Sequence, residues 1–268
     1  MSMIFKILTT TLMIYLVSPI SLFRAEAIPG SAISTIRDSV EMRLIESDDF
    51  LMGSKSGEGR ADERPQRKVY VDKYSIDIYE VTNERYLKFI HDTERKEPPN
   101  SYGNTLLSEQ PGISQLPIVQ VTWYDAVDYC RWTGKRLPTE AEWEKAARGK
   151  DGYDFPWGFE PPSEKPVNFD KNWEGIKTLW SAKGNEETTS PYGIINMAGN
   201  VREWVSDWYS PDYYQSAPSK NPPGPQIGIL KVIKGGSWHS FKSDLRPASR
   251  GKGGFALKTD GIGFRCAK

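Results

Sequence analysis

The residues of this chain that could do chemistry are few and scattered. The run from Asn196 to Glu203 includes Gly199-Asn200-Val201-Arg202-Glu203, a glycine turn whose backbone carbonyls lie near asparagine and glutamate oxygens. From such donors a hard cation such as calcium builds a flexible oxygen cage. The competing reading is a plain turn with an asparagine cap. Of the 2 histidines, His91 falls at an expected helix end, and His239 stands in Ser237-Trp238-His239-Ser240. A histidine can act as a base or a metal ligand near neutral pH, but alone it makes a poor metal site. A packed or solvent-facing ring is the alternative. Glu140 and Glu142 fall in the first turn of an expected helix, where carboxylates favour the positive dipole end; capping explains them better than catalysis does. The 2 cysteines, Cys130 and Cys266, lie far apart, and neither has a polarising neighbour that would make it a reactive thiolate. In an exported protein such a pair reads as one disulfide.

The elements that must position these residues are punctuated by loops. With 23 Gly, 19 Pro, 9 Trp and 13 Tyr, the chain reads as many loops pinned by large aromatic rings. Short strands are expected at Arg43–Ile45, Phe50–Met52, Val69–Val71 and Tyr74–Ile78, with a solvated loop from Lys55 to Gln66. Thr82 or Asn83 caps a helix carrying Tyr86, Phe89 and Ile90. Thr122 caps a second with Ala126, Val127, Cys130 and Trp132 inward. Thr139 with Glu142 forms a capping box for a third helix, which buries Ala141, Trp143, Ala146 and Ala147 and ends at Gly149. Beyond it, one strand is expected at Ile229–Ile233. The fold class is α+β, a single mixed domain with much irregular structure.

Lys+Arg and Asp+Glu both number 35, for a net charge of +0. That balance argues against a nucleic-acid partner, which needs clustered positive charge. Lys6, an apolar run from Ile7 to Phe23 and Ala25-Glu26-Ala27 form a secretory leader with a cleavage site. The alternative is retention as an uncleaved anchor. Residues 1–27 are therefore read as a signal peptide, 28–40 as a flexible lead-in and 41–268 as the domain. The protein is expected in the periplasm or outside the cell, with no membrane span after cleavage.

Four segments resemble the formylglycine-generating enzyme, or sulfatase-modifying factor, family. They are Tyr79-Glu80-Val81-Thr82-Asn83; Leu116-Pro117-Ile118-Val119 with Val121-Thr122-Trp123 and Lys135 to Glu144; Tyr192-Gly193 with Asn196 to Trp204; and Gly235-Gly236-Ser237-Trp238 with Gly263-Phe264-Arg265-Cys266. They follow the family's order and span the chain from about residue 40 to its last residue. The resemblance implies the family's C-type-lectin-like fold and a structural calcium. Its ligands would be the side chains of Asn196 and Glu203 and the backbone oxygens of Gly199 and Val201. A second family calcium would fall near Asn168 and Phe169, with no acidic partner evident between Asp170 and Asn185. The resemblance also supports the Cys130–Cys266 bridge.

Catalytic members of that family oxidise a substrate cysteine with oxygen at a copper(I) ion held by two cysteines after the Gly-Gly-Ser motif. Copper(I) is soft and takes thiolates. Here the stretch from Ser237 to Arg246 has no cysteine, so no copper is expected and no catalytic residue is assigned; Ser237, Trp238, His239 and Ser240 form the candidate pocket. The resemblance leaves an accessory protein that binds a protein or peptide client. The alternative is an oxidoreductase using the same pocket with other residues, as in cysteine-less relatives tied to siderophore maturation. Sugar binding rests on fold kinship to C-type lectins and on the aromatic content.

Overall fold

The computed structural model describes residues 38–268. The expected signal peptide and most of the expected lead-in lie outside those residues. The end of the lead-in is not loose: Asp38 accepts hydrogen bonds from Arg85 Nε at 3.0 Å and Lys135 Nζ at 3.1 Å. Two buried cations hold this carboxyl below its usual range, against the opposing effect of burial.

Two hairpin-like pairs build the first half. β1 (Met42–Ile45) runs antiparallel to β4 (Tyr74–Asp77), and β2 (Asp48–Met52) to β3 (Arg67–Val71). Alternation places Phe50, Met52, Val69 and Val71 in the core and leaves Leu51 outside. The loop from Lys55 to Gln66, between β2 and β3, is mostly solvated, as expected, with one exception. Glu63 within it is fully buried, accepting from Ser54 Oγ at 2.9 Å and from Arg246 Nη2 at 2.7 Å. A remote guanidinium neutralises the carboxylate, which the local sequence could not announce.

The helices follow the capping signals. α1 (Asn83–Thr93) starts at Thr82, α2 (Trp123–Trp132) at Thr122 and α3 (Glu140–Arg148) at Thr139, and α2 and α3 both have complete capping boxes. All 9 residues of α3 are buried, not only its apolar side. Its charges are paired inside the fold. Glu144 meets Arg148 at 3.1 Å and Lys234 at 3.2 Å, and Lys145 Nζ donates to the carbonyls of Glu46 and Asp48.

The second half carries a four-stranded sheet in the order β7-β6-β5-β8. β5 (Arg202–Trp208) emerges from the expected cation loop, which the sequence had not marked as a strand. β6 (Leu230–Lys234) matches the Ile229–Ile233 expectation; β7 is Gly251–Gly254 and β8 Ile262–Gly263. A single-turn helix, α4 (Tyr213–Ser216), packs near α3 through Tyr214. The last residues wedge between earlier elements. Asp77 N donates to Cys266 O, Ser75 N to Lys268 O, and Arg136 and Ala267 exchange both backbone bonds at 2.8 and 2.7 Å. Cys130 on α2 is disulfide-bonded to Cys266, 136 positions away. Among the described residues, no helix is long and apolar enough to cross a membrane.

Candidate functional site

The mouth of the C-terminal sheet holds a cavity of about 520 Å³, lined by Arg60, Arg202, His239, Lys252, Asp260 and the apolar side chains of Ile233, Leu257 and Ile262. A larger cavity, about 640 Å³, lies beside Asp38 and Arg85, whose charges are already paired with each other and with Asp77. The first cavity is the candidate because His239, singled out in the sequence, lines it.

Arg202 reaches the cavity because consecutive strand residues face opposite sides. Glu203 points into the core, so the neighbouring side chain points out toward the 237–246 segment. There Arg202 Nη2 donates to Ser240 Oγ at 3.1 Å and to Asp244 Oδ2 at 3.2 Å. Asp244 also binds Arg60 through its other oxygen. Ser240 Oγ receives a second hydrogen bond, from Ser237 N at 2.9 Å, and lies 3.2 Å from Ser237 Oγ. Ser237 Oγ is in turn 3.2 Å from His239 Nδ1.

Proton counting gives this chain a direction. Ser240 Oγ already accepts two hydrogen bonds, so its own proton is free for Ser237 Oγ; the Ser237 proton in turn has His239 Nδ1 as its one remaining acceptor among the described contacts. The neutral imidazole consequently carries its hydrogen on Nε2. Burial, followed by the Arg202 charge, holds the His239 pKa below its ordinary value, which favours that neutral form. The ring fits because residue 261 is glycine: a Cβ there would come within 2.6 Å of His239 Cε1.

Of the four candidate pocket residues, only His239 lines the cavity. Ser237 and Ser240 are buried behind it, and Trp238 turns away, its Nε1 donating to Asp260 O at 3.1 Å. Arg60, Lys252 and Asp260 were not singled out from the sequence. Nothing local marks them, since Arg60 meets Asp244 across 184 positions.

The expected calcium ligands lie in a buried polar cluster elsewhere in the domain. Asn196 Nδ2 donates to Glu80 Oε2 at 2.8 Å, and its Oδ1 faces Gly184. Burial pushes the Glu80 carboxyl up to about 8; the Glu203 charge adds to this, while Arg265, Asn196 and Asn200 oppose it. Glu203 Oε2 accepts from Trp143 Nε1 and Arg265 Nε, both at 2.8 Å, and Oε1 accepts from Arg265 Nη2 at 2.7 Å. Oε1 thus keeps lone-pair capacity for a cation beside the guanidinium. Val201 is buried, and Gly199 N donates to Gly235 O at 2.8 Å, tying the turn to the sheet. Nearby, Asn168 Oδ1 is buried and meets no donor among the described residues. Amide and carboxylate oxygens are the donor type calcium takes, but both Glu203 oxygens already accept from Arg265 or Trp143, and Asn196 is tied to Glu80.

A family model described as a sulfatase-modifying factor enzyme 1-like domain matches residues 32–268. The chain belongs to the sulfatase-modifying factor family. Formylglycine-generating enzyme of Streptomyces coelicolor is 33% identical, over 91% of this chain and 93% of that protein. Serine/threonine-protein kinase pkn1 of Chlamydia caviae is 36% identical over 85% of this chain, but the chain spans only 38% of that protein's length. The structure of PvdO from Pseudomonas aeruginosa superposes with a TM-score of 0.70 at 26% identity, covering 85% of this chain and 94% of that one. These likenesses establish the α+β sulfatase-modifying factor fold. Bis-thiolate copper does not fit this member. Both of its cysteines are consumed in the disulfide, and among the described residues no three His, Cys, Asp or Glu side chains gather as a metal site.

Proposed function

We propose that this sulfatase-modifying factor domain is exported and binds a protein or peptide client as an accessory protein, with calcium at the Asn196–Glu203 loop holding the fold. One observation carries the reading. The serine hydroxyls beside His239 are locked in a hydrogen-bond relay, while the imidazole lines an open cavity together with Arg60, which is paired with Asp244, and Lys252, which rests on Tyr209. Such a surface suits recognition, with fixed donors and room for a side chain. The oxidoreductase alternative keeps one foothold in the neutral His239 imidazole, which could move a proton at Nε2.

A capture experiment from the exported fraction of the native host tests the proposal, comparing the wild type with His239→Trp, which fills the cavity. The expected result is a client retained by wild type and lost from the variant at equal protein level. The same retained proteins with both would overturn it. A pathway defect from His239→Ala with capture intact would favour the enzyme.

A further inference from the structure

We infer that the cavity at His239 is an oxyanion subsite, taking a carboxylate or phosphoryl group presented by the ligand. This rests on the cavity being the binding site proposed above and names the chemistry it recognises.

The argument is one of donors against acceptors. Arg250 borders the cavity but is spent: it binds Glu140 through Nε at 2.8 Å and Nη2 at 3.0 Å, and the carbonyls of Asp62 and Ser210 through Nη1. The other cations are Arg60 and Arg202, which share one carboxylate, Asp244, and Lys252, whose Nζ meets the neutral Tyr209 hydroxyl at 3.3 Å and no carboxylate among the described contacts. Of the two carboxylates near them, Asp244 lies behind the lining, shared between both arginines, and Asp260 lines the cavity. Three cations against two carboxylates leave an excess positive charge in a space walled by Ile233, Leu257 and Ile262. The relay adds a neutral donor, since it fixes the hydrogen of His239 on Nε2.

The site is built, not merely surface charge. Arg202 is held in place by two bonds from one amino group, which leaves the rest of its planar fork for a ligand. Burial and the Arg60 charge both disfavour the charged form of Arg202, a cost that an incoming anion relieves. Arginine forks recognise carboxylate and phosphate oxygens in paired hydrogen bonds. A cavity of about 520 Å³ admits such a group together with the stem that carries it.

The test uses the full chain at low salt, titrated in one arm with inorganic phosphate and in the other with a hexaglutamate peptide. At least one probe should saturate, with affinity falling as salt rises. The double variant Arg60→Gln/Lys252→Gln changes two exposed side chains and should bind about tenfold or more weakly, the size expected for losing charge-assisted contacts. Lys68→Gln, an exposed lysine on β3 outside the cavity, should bind as wild type does. Phosphate alone would assign a phosphoryl group, and the peptide alone a carboxylate. Saturation by neither probe, or equal binding by wild type and double variant, would overturn the inference. If client capture nonetheless survived, the accessory reading would stand without it.

Discussion

The backbone N–H of Glu140, at the first turn of α3, donates to Asp207 Oδ2 at 2.8 Å. Burial, then the Glu140 charge, raises the Asp207 pKa from 3.8 to about 7. A carboxyl raised on folding costs nothing below its unfolded pKa and destabilises progressively as pH climbs toward the folded one. Asp207→Asn should therefore gain stability relative to wild type between pH 4 and about 7. Urea midpoints of both proteins across that range check it. A gap that does not change with pH would refute the assignment.

Arg250 neutralises Glu140 inside the fold, and both side chains are almost fully buried. Arg250→Met should cost about 3–5 kcal/mol, because it strips that carboxylate of its two-pronged partner and leaves Lys234 at 3.5 Å. Adding Glu140→Gln should restore much of the loss. A single variant within 1 kcal/mol of wild type, by denaturant unfolding, would show the pair is not needed.

The Cys130–Cys266 bridge closes a loop of 136 positions. On the chain-entropy model, its loss should cost about 5 kcal/mol. Thiol titration of unfolded, unreduced protein should find no free thiol, and reduction should lower the denaturant midpoint.

Calcium should raise the melting temperature through the Asn196–Glu203 loop. Glu203→Ala is a poor test, since it strands the buried Arg265 whatever the ion does. Asn196→Ala is the better one, read as the difference between calcium and chelator. Wild type melting identically in both would remove the site.

With copper(I), oxygen and a cysteine-containing sulfatase peptide, the protein should form no aldehyde above a no-enzyme control. A serine hydroxyl and one imidazole cannot replace a soft thiolate pair. Mass spectrometry of the peptide decides it.

The parts legible in the sequence were those governed by near neighbours. The starts of α2 and α3 needed only Thr122 and Thr139 and the carboxylates three residues on. β5 was hidden because Glu203, Trp204, Val205 and Asp207 are all buried, which breaks a two-residue alternation. β7 reads Gly-Lys-Gly-Gly and offers no pattern; its pairing with β6 makes it a strand. His239 was visible by residue type. Its cationic surroundings were not, since Arg60, Arg202 and Lys252 meet only when the sheet brings their segments together.

The wedge formed by residues 264–268 has a consequence for how the molecule is made. A chain threaded out from its N-terminus presents β4, the Arg136 peptide and Glu203 long before the stretch that ties them together has been synthesised. Until Arg265 arrives, Glu203 lacks its guanidinium partner, and Cys130 has no sulfur to meet. Closure of these contacts therefore waits for residues 264–268. Until then the Cys130 thiol stays unpaired, and the oxidation that seals the domain can follow only once Cys266 has reached it.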